Sequence, residues 1–387
     1  MLKQIANNIT FVGIEDETLD LFEGLYKVPN GVTYNSVVFT DKVAAIMDTA
    51  DKRVSDEWLT LVKKVLKDRV PEYLIISHME PDHSANIETI LREYPDIKIV
   101  GNAKTFQMLP NFITIDVPAD KRVEMKDGDV LDLGEHKLKF LMAPMVHWPE
   151  VMMSYDETDK ILFTADAFGR FGKFVTDLDW VDEARRYYFN IVGKYGAQVQ
   201  KILKAVAPVE VKKIVPLHGP VLENNLTYYR NRLNIWSSYE PEDKGITLAC
   251  ASIHGNTREF ARLLKEELVS LGAKVSLYDL SRCDISEAVE SAFRFNKLIL
   301  LSSTYDADLY PPMKAFLNRL LAKNYQNRDI AFIENGSWAP AAAKKMKEYT
   351  DKMANINYYE NVISIKTTVK QENIEQMTDL INWAKQW

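Results

Sequence analysis

The sequence predicts an α/β fold in two consecutive domains, and three observations support this. First, the chain has 387 residues, which is long for one domain and fits two. Second, residues 1–243 contain apolar runs of strand length, several of which lead into a histidine or an acidic residue. Third, residues 246–387 repeat the pattern strand, glycine-containing loop and helix, which is typical of a parallel sheet. A short polar segment with Pro241 and Gly245 separates the two parts.

The elements of the first domain follow from hydrophobic periodicity. Strands are predicted at residues 9–13, 36–40, 43–48, 73–77, 97–100, 136–142, 160–164 and 212–216. Helices are predicted at residues 55–68, 103–110 and 182–206. Asp127-Gly128 lies between two alternating runs and indicates a hairpin.

Composition excludes several classes of protein. No apolar run approaches the ~20 residues of a transmembrane helix, and the N-terminus lacks the apolar segment of a secretory signal. Two cysteines, Cys250 and Cys283, are too few for a disulfide framework and favour a reducing, cytoplasmic location. The net charge of −7 argues against a nucleic-acid partner. We therefore expect neither membrane nor nucleic acid as a partner.

The stretch His78-Met-Glu-Pro-Asp-His83 carries most of the chemistry of the first domain. It follows a predicted strand, so its side chains crowd onto one turn at the end of that strand. Active sites of layered α/β folds gather at strand ends, and three later runs also lead into possible metal ligands. The candidate ligands are His78, Glu80, Asp82, His83, His147, Asp166 and His218.

Such a set is too large for one metal ion, but it fits two ions that share a carboxylate as a bridge. Imidazoles with several carboxylates and no thiolate favour iron or manganese, although zinc is also compatible. A lone loop histidine is usually solvated or hydrogen-bonded, and we interpret His136 and His254 in that way. An acid-rich turn followed by three further strand-end ligands is much harder to obtain by chance.

Residues 1–243 resemble the metallo-β-lactamase fold, an αββα sandwich whose hydrolases carry H-x-H-x-D-H. Glu80 stands where those hydrolases have their second histidine, and this change is typical of the flavodiiron proteins. The segments HWPEVMMSY, ILFTADAFG and LHGP resemble the other ligand segments of that family. The resemblance implies one iron on His78, Glu80 and His147, the other on Asp82, His83 and His218, and a bridging Asp166. The family varies in whether the equivalent of His83 binds iron.

Three loops at predicted strand ends organise the second domain. The strand at 246–251 leads into Ser252-Ile-His-Gly-Asn-Thr257 and a helix at 258–271. Hydroxyls, an amide and backbone N–H groups at a helix N-terminus suit a phosphate, although an ordinary strand–helix turn is equally compatible with this loop alone. The loops at 302–307 and 334–338 follow two further strands, and each carries an aromatic residue that can pack near a flat ring.

Residues 246–387 resemble flavodoxins through S-x-x-G-N-T, S-S-T-Y-D and N-G-S-W. This resemblance implies a flavodoxin-like doubly wound parallel sheet and an FMN cofactor. The implied FMN-binding residues are Ser252, Ile253, His254, Gly255, Asn256, Thr257, Ser303, Thr304, Tyr305, Asp306, Ala307, Asn335, Gly336, Ser337 and Trp338.

Together the two resemblances cover nearly the whole chain and match a flavodiiron protein. They imply an oxidoreductase that reduces dioxygen to water, or nitric oxide to nitrous oxide, at a pair of irons fed by FMN. They also imply a head-to-tail homodimer or a dimer of dimers. Two isolated cysteines cannot form the Cys-x-x-Cys pairs of a fused rubredoxin, so we expect an electron donor in trans: a rubredoxin, a flavin reductase or a reduced deazaflavin.

Two other functions fit parts of the pattern. One is a zinc-dependent hydrolase of the lactamase-like fold with an appended flavodoxin domain, and Glu80 argues against it. The other is an electron-transfer flavoprotein, or a binding protein, with a degenerate metal site. The complete set of ligands argues against that interpretation.

Overall fold

The computed structural model describes residues 1–175 and 179–386. The chain forms two compact units, the first comprising Met1–Tyr188 with Ala197–Leu233 and the second comprising Phe189–Gly196 with Asn234–Trp387. Our division of the sequence into domains 1–243 and 246–387 stays a prediction.

The first unit contains two sheets and a small hairpin. Its strands are β1 (Leu2–Ala6), β2 (Ile9–Asp16), β3 (Leu21–Phe22), β4 (Tyr26–Lys27), β5 (Val32–Phe39), β6 (Ala45–Met47), β7 (Tyr73–Ile75), β8 (Lys98–Gly101), β9 (Arg122–Glu124), β10 (Val130–Asp132), β11 (Lys137–Met142), β12 (Met152–Asp156), β13 (Ile161–Phe163) and β14 (Lys213–Val215). Its helices are α1 (Ser55–Leu66), α2 (Pro81–Ser84), α3 (Ile87–Glu93), α4 (Ala103–Met108) and α5 (Trp180–Tyr187), together with most of α6 (Gly196–Val206) and of α7 (Leu226–Ser237).

The two large sheets pack against each other to form the core of this unit. One has the order β1-β2-β5-β6-β7-β8-β9 and the other the order β10-β11-β12-β13-β14, while β3 pairs with β4. Buried side chains from both sheets, such as Ile75 and Phe140, belong to one hydrophobic cluster. The rings of Phe39 and Phe163 meet edge to face at 5.8 Å across the sandwich. The predicted metallo-β-lactamase-like architecture is confirmed.

The second unit is a parallel sheet with helical crossovers. Its elements are β15 (Asp243–Ala251), α8 (Asn256–Ser270), β16 (Val275–Asp279), α9 (Ile285–Arg294), β17 (Phe295–Tyr305), β18 (Asp308–Leu309), α10 (Pro311–Ala322), β19 (Gln326–Asn335), α11 (Ala342–Thr350), β20 (Ala354–Ile365) and α12 (Gln371–Ala384). The order is β16-β15-β17-β19-β20, and each of these pairs is parallel. This is the flavodoxin-like doubly wound order, which confirms the prediction for this part of the chain.

One local prediction was refined and another was wrong. Residues 182–206 are helical as predicted, but the helix type changes, because α5 gives way to a π-helical segment at Tyr188–Val192 and a 3₁₀ turn at Gly193–Tyr195. At this break, Tyr239 donates its hydroxyl to the Gly193 carbonyl and accepts the Gly196 N–H, so a side chain replaces helical bonds. Asp127-Gly128 does not close a hairpin, since the strands on either side of it, β9 and β10, belong to different sheets.

Among the described residues, no helix combines the length and the apolar character needed to cross a bilayer.

Candidate functional site

All the predicted metal ligands lie in the first unit, at or near the ends of strands. His78 follows β7, and the adjacent α2 begins at Pro81, whose fixed φ suits a helix start, so that Asp82 and His83 fall within its single turn. Glu80 is the N-cap residue of α2. His147 lies between β11 and β12, while Asp166 follows β13 and His218 follows β14. The exposed fraction is 0% for His78, His83 and His218, 1% for Asp166, 6% for His147, 7% for Asp82 and 8% for Glu80.

One group of donors brings together four of the predicted ligands. The Nε2 atom of His147 lies 3.1 Å from Glu80 Oε2 and 2.9 Å from Asp166 Oδ2. The Nε2 atom of His78 lies 3.3 Å from Glu80 Oε2 and 3.4 Å from Asp166 Oδ2. Two imidazoles and two carboxylates therefore face one point.

A second group comprises Asp82, His83 and His218. The Nε2 atoms of His83 and His218 lie 3.4 Å and 3.3 Å from Asp82 Oδ2. They lie 3.5 Å and 3.8 Å from Asp166 Oδ1. Since the other oxygen of Asp166 faces the first group, this one carboxylate adjoins both groups.

These donors fit a pair of cations. The Nε2 atoms of His78 and His147 lie 3.3 Å apart, and those of His83 and His218 lie 3.1 Å apart. In each pair the two lone pairs repel unless a proton or a metal ion lies between them. Apart from these histidine nitrogens, no hydrogen-bond donor among the described residues reaches the buried carboxylate oxygens of Asp82 and Asp166. Buried carboxylates without partners are costly, and bound cations remove that cost.

Electrostatics lead to the same conclusion. Burial opposes a charge on His147, but Asp166 and Glu80 outweigh it and raise the pKa of His147 to about 9. Burial likewise opposes a charge on Asp166, but His78, His147 and His83 hold its pKa well below the usual range. Asp166 is thus held ionised, as a carboxylate that binds a metal must be.

The structure adds residues that the sequence did not single out. Glu150 accepts the Met79 N–H and lies 2.8 Å from His78 Nδ1, and the Thr33 carbonyl lies 2.6 Å from His218 Nδ1. Histidines that bind metals usually donate their second ring N–H to such groups. Glu150 lies in the segment HWPEVMMSY, three residues after His147, but the sequence assigned it no role, and no motif surrounds Thr33.

Aromatic rings line both groups of donors. The ring of Trp148 meets the His78 ring at 5.2 Å between centroids. Phe22, from the β3–β4 hairpin, and Tyr187 meet the His218 ring at 5.4 Å and 5.5 Å. The polar donor groups are therefore bordered by aromatic side chains.

In the second unit, the predicted FMN-binding loops line one cleft. It has a volume of about 470 Å³, within the usual range for a cofactor site. All the predicted residues except Gly255 line it, together with Ala339 and Thr367, which the sequence did not indicate. Gly255 instead caps the start of α8 with a φ of 97°, a conformation that glycine adopts without strain.

Polar contacts hold the cleft loops in place. The hydroxyls of Thr257 and Ser303 lie 3.1 Å apart, and Ser252 accepts the Gly255 N–H. The cleft lies at the N-terminus of α8, whose free N–H groups and dipole favour a phosphate. Tyr305 is 44% exposed and Trp338 is 92% exposed, so both rings are available to a flat ligand. The residues present therefore fit a flavin mononucleotide.

Comparisons with known proteins agree with both parts of the chain. Residues 32–219 match the model of the family described as "ODP family beta lactamase". A diflavin flavoprotein A 1 from Synechocystis sp. is 31% identical over 74% of this chain and 51% of its own length, so the chain spans about half of that relative. An anaerobic nitric oxide reductase flavorubredoxin from Vibrio vulnificus is 26% identical over 95% of this chain and 76% of its own length.

A solved structure supports the order of the two folds. The rubredoxin oxygen:oxidoreductase from Desulfovibrio gigas superposes with a TM-score of 0.91 at 23% identity, covering 99% of this chain and 97% of that one. A lactamase-like part followed by a flavodoxin-like part is thus shared along the whole chain. Along its whole length the chain therefore has the fold of the flavodiiron proteins.

Proposed function

We propose that this protein is a flavodiiron oxidoreductase that reduces dioxygen to water, nitric oxide to nitrous oxide, or both. The observation that carries the proposal is the pair of donor groups sharing Asp166, with Glu80 in the place of a hydrolase histidine. His78, Glu80 and His147 would hold one iron, Asp82, His83 and His218 the other, and Asp166 would bridge them. The relatives named as nitric oxide reductase and oxygen oxidoreductase support this reaction class.

Each cofactor has a defined place in the proposal. When bound, the iron pair supplies a reducing site for a small gas, and FMN in the cleft supplies the electrons. The carboxylates add negative charge and hard oxygen donors, which favour iron over zinc. The rings of Phe22, Trp148 and Tyr187 exclude water beside the ligands and suit a small uncharged substrate.

The donor residues and the cleft belong to different units of the chain. We propose that two copies associate head to tail, so that the flavin of one copy serves the irons of the other. An external donor, such as a rubredoxin, a flavin reductase or a reduced deazaflavin, would reduce the flavin.

The test uses protein loaded with iron and FMN and fully reduced without oxygen. One equivalent of dioxygen or of nitric oxide is added, flavin and iron oxidation are followed by absorbance, and nitrous oxide is measured by gas chromatography. We expect rapid oxidation of both cofactors by at least one gas. Asp166→Asn should abolish this reaction while keeping FMN. Asp156→Asn, which changes a buried aspartate that caps a turn through Thr158 and Asp159, should retain it.

Two results would contradict the proposal. Two bound zinc ions with ester or amide hydrolysis would favour the hydrolase. Gas consumption that is unchanged in Asp166→Asn would show that the flavin alone reacts and would favour an electron carrier.

A further inference from the structure

Glu150 is a buried acid beside the metal ligands that the proposed function leaves without a role. It is 0% exposed, and its Oε1 atom lies 2.8 Å from both His78 Nδ1 and the Met79 N–H. Its Oε2 atom is buried and has no hydrogen-bond partner among the described residues. One oxygen of this carboxyl group is therefore hydrogen-bonded, and the other is buried without a partner. Such burial costs free energy, and anchoring a loop does not require it.

We propose that Glu150 is a positioning residue that fixes the ring of His78 and tunes the metal held on its side of the cluster. The proposal rests on the metal centre described above, but it does not depend on which gas is reduced. Glu150 is not itself one of the proposed metal ligands.

The hydrogen-bond geometry sets the tautomer of His78. Because Nδ1 lies against Glu150 Oε1, the ring proton sits on Nδ1 and is donated to that oxygen. The Nε2 lone pair is then free, and it points into the donor group, 3.3 Å from Glu80 Oε2 and 3.4 Å from Asp166 Oδ2. Because Oε1 also accepts the Met79 N–H, it is anchored to the backbone of the ligand turn itself. Ring and carboxylate are therefore held together as one rigid pair.

The two histidines of the second donor group, His83 and His218, lack such a partner. His218 Nδ1 lies against the Thr33 carbonyl, which is uncharged. His83 Nδ1 is buried without a hydrogen-bond partner among the described residues. The acid at Glu150 is thus specific to the His78 side of the cluster. A carboxylate partner raises the basicity of a ligand imidazole, so we expect Glu150 to strengthen metal binding there and to favour the more highly charged oxidised metal.

Three variants separate these effects from simple folding. Glu150→Gln keeps the shape and one acceptor oxygen but removes the charge. Glu150→Ala removes the acceptor as well. Asp41→Asn is the matched control, because Asp41 makes the same kind of buried contact, at 2.9 Å, to Nδ1 of His136, outside the proposed metal ligands.

Two readouts are independent of gas turnover. The first is the rate at which a chelator removes the bound metal, whichever metal the protein holds. Loss of such outer partners typically costs 10–100-fold in affinity, so we expect Glu150→Ala to lose metal roughly 10–100-fold faster than wild type, with Glu150→Gln in between. The second is the midpoint potential of the iron pair, which Glu150→Gln should raise. A tenfold change in the ferric-to-ferrous ratio corresponds to about 59 mV.

Faster metal loss in both Glu150 variants, with a raised potential in Glu150→Gln and wild-type behaviour in Asp41→Asn, supports the proposal. Metal release and potential that match wild type in Glu150→Gln overturn it, and so does an equal change in Asp41→Asn. If Glu150→Ala fails to fold, the metal release rate and the midpoint potential of Glu150→Gln test the proposal without it. Absence of gas reduction in the wild type would contradict the proposed function but would leave the release rates interpretable.

Discussion

Replacing Glu80 by glutamine tests the residue that distinguishes this ligand set from that of a hydrolase. The side chain keeps its length and one oxygen donor but loses its negative charge. If Glu80 favours the oxidised iron pair, Glu80→Gln should raise the midpoint potential of the iron on the His78 side.

The size of the effect follows from the geometry. Glu80 Oε2 lies 3.1 Å from His147 Nε2 and 3.3 Å from His78 Nε2, so these three atoms would hold the same ion. Two unit charges about 4 Å apart interact by about 4 kcal/mol at an effective dielectric constant of about 20. Ferric iron carries one more charge than ferrous iron. Removing the carboxylate charge should therefore favour the ferrous form about a thousandfold, since about 1.4 kcal/mol is tenfold.

The assay is a redox titration of the iron-loaded protein, followed by absorbance and electron paramagnetic resonance. At about 59 mV for each factor of ten, we expect a rise of roughly 180 mV. Glu88→Gln, on α3 and outside the ligand set, should leave the potential unchanged. If Glu80→Gln holds two irons and its potential stays within about 30 mV of wild type, which is less than a factor of ten, the electrostatic reasoning is wrong.

Three further predictions concern the rest of the molecule. Burial opposes protonation of His136, but Asp159, Asp156 and Asp41 outweigh it and raise its pKa. The stabilisation from these pairs is therefore complete below the unfolded pKa of about 6.5 and is lost as pH rises through the folded value. The difference in urea midpoint between wild type and His136→Gln should accordingly shrink from pH 6 to pH 9, and a constant difference would contradict this. Gly255→Ala forces a side chain into the left-handed region at a cost of about 1–2 kcal/mol, so FMN should bind more weakly by flavin fluorescence, and unchanged affinity would show that the loop tolerates the strain. Sedimentation should give a multiple of the 44.4 kDa chain mass, and a fully active monomer would refute the head-to-tail dimer.

The sequence indicated the residues of both donor groups, because each of them stands in a recognisable local context. His78 and Asp166 follow apolar runs, and strand ends of one fold converge, so proximity could be inferred without coordinates. Glu150 and Thr367 could not be found in this way. Glu150 reaches His78 only because the connection between β11 and β12 returns to the turn after β7, and Thr367 reaches the cleft only because β20 lies beside β19. These are pairings between distant segments, which local periodicity does not encode.

The contacts of Glu80 and Glu150 also imply that the two halves of the metal centre differ. Asp166 is shared, and the His78 half adds Glu80 as a donor and Glu150 behind His78. Among the described residues, the other half adds one donor carboxylate, that of Asp82. More negative charge around one ion stabilises its oxidised state, so we expect the iron on the His218 side to be reduced first. Glu150→Gln should then bring the two potentials closer together, because it removes charge from only one half. The reasoning would be wrong if a redox titration showed both irons reduced at one potential in wild type and variant alike. The shared carboxylate and solvent would then make the two midpoint potentials equal.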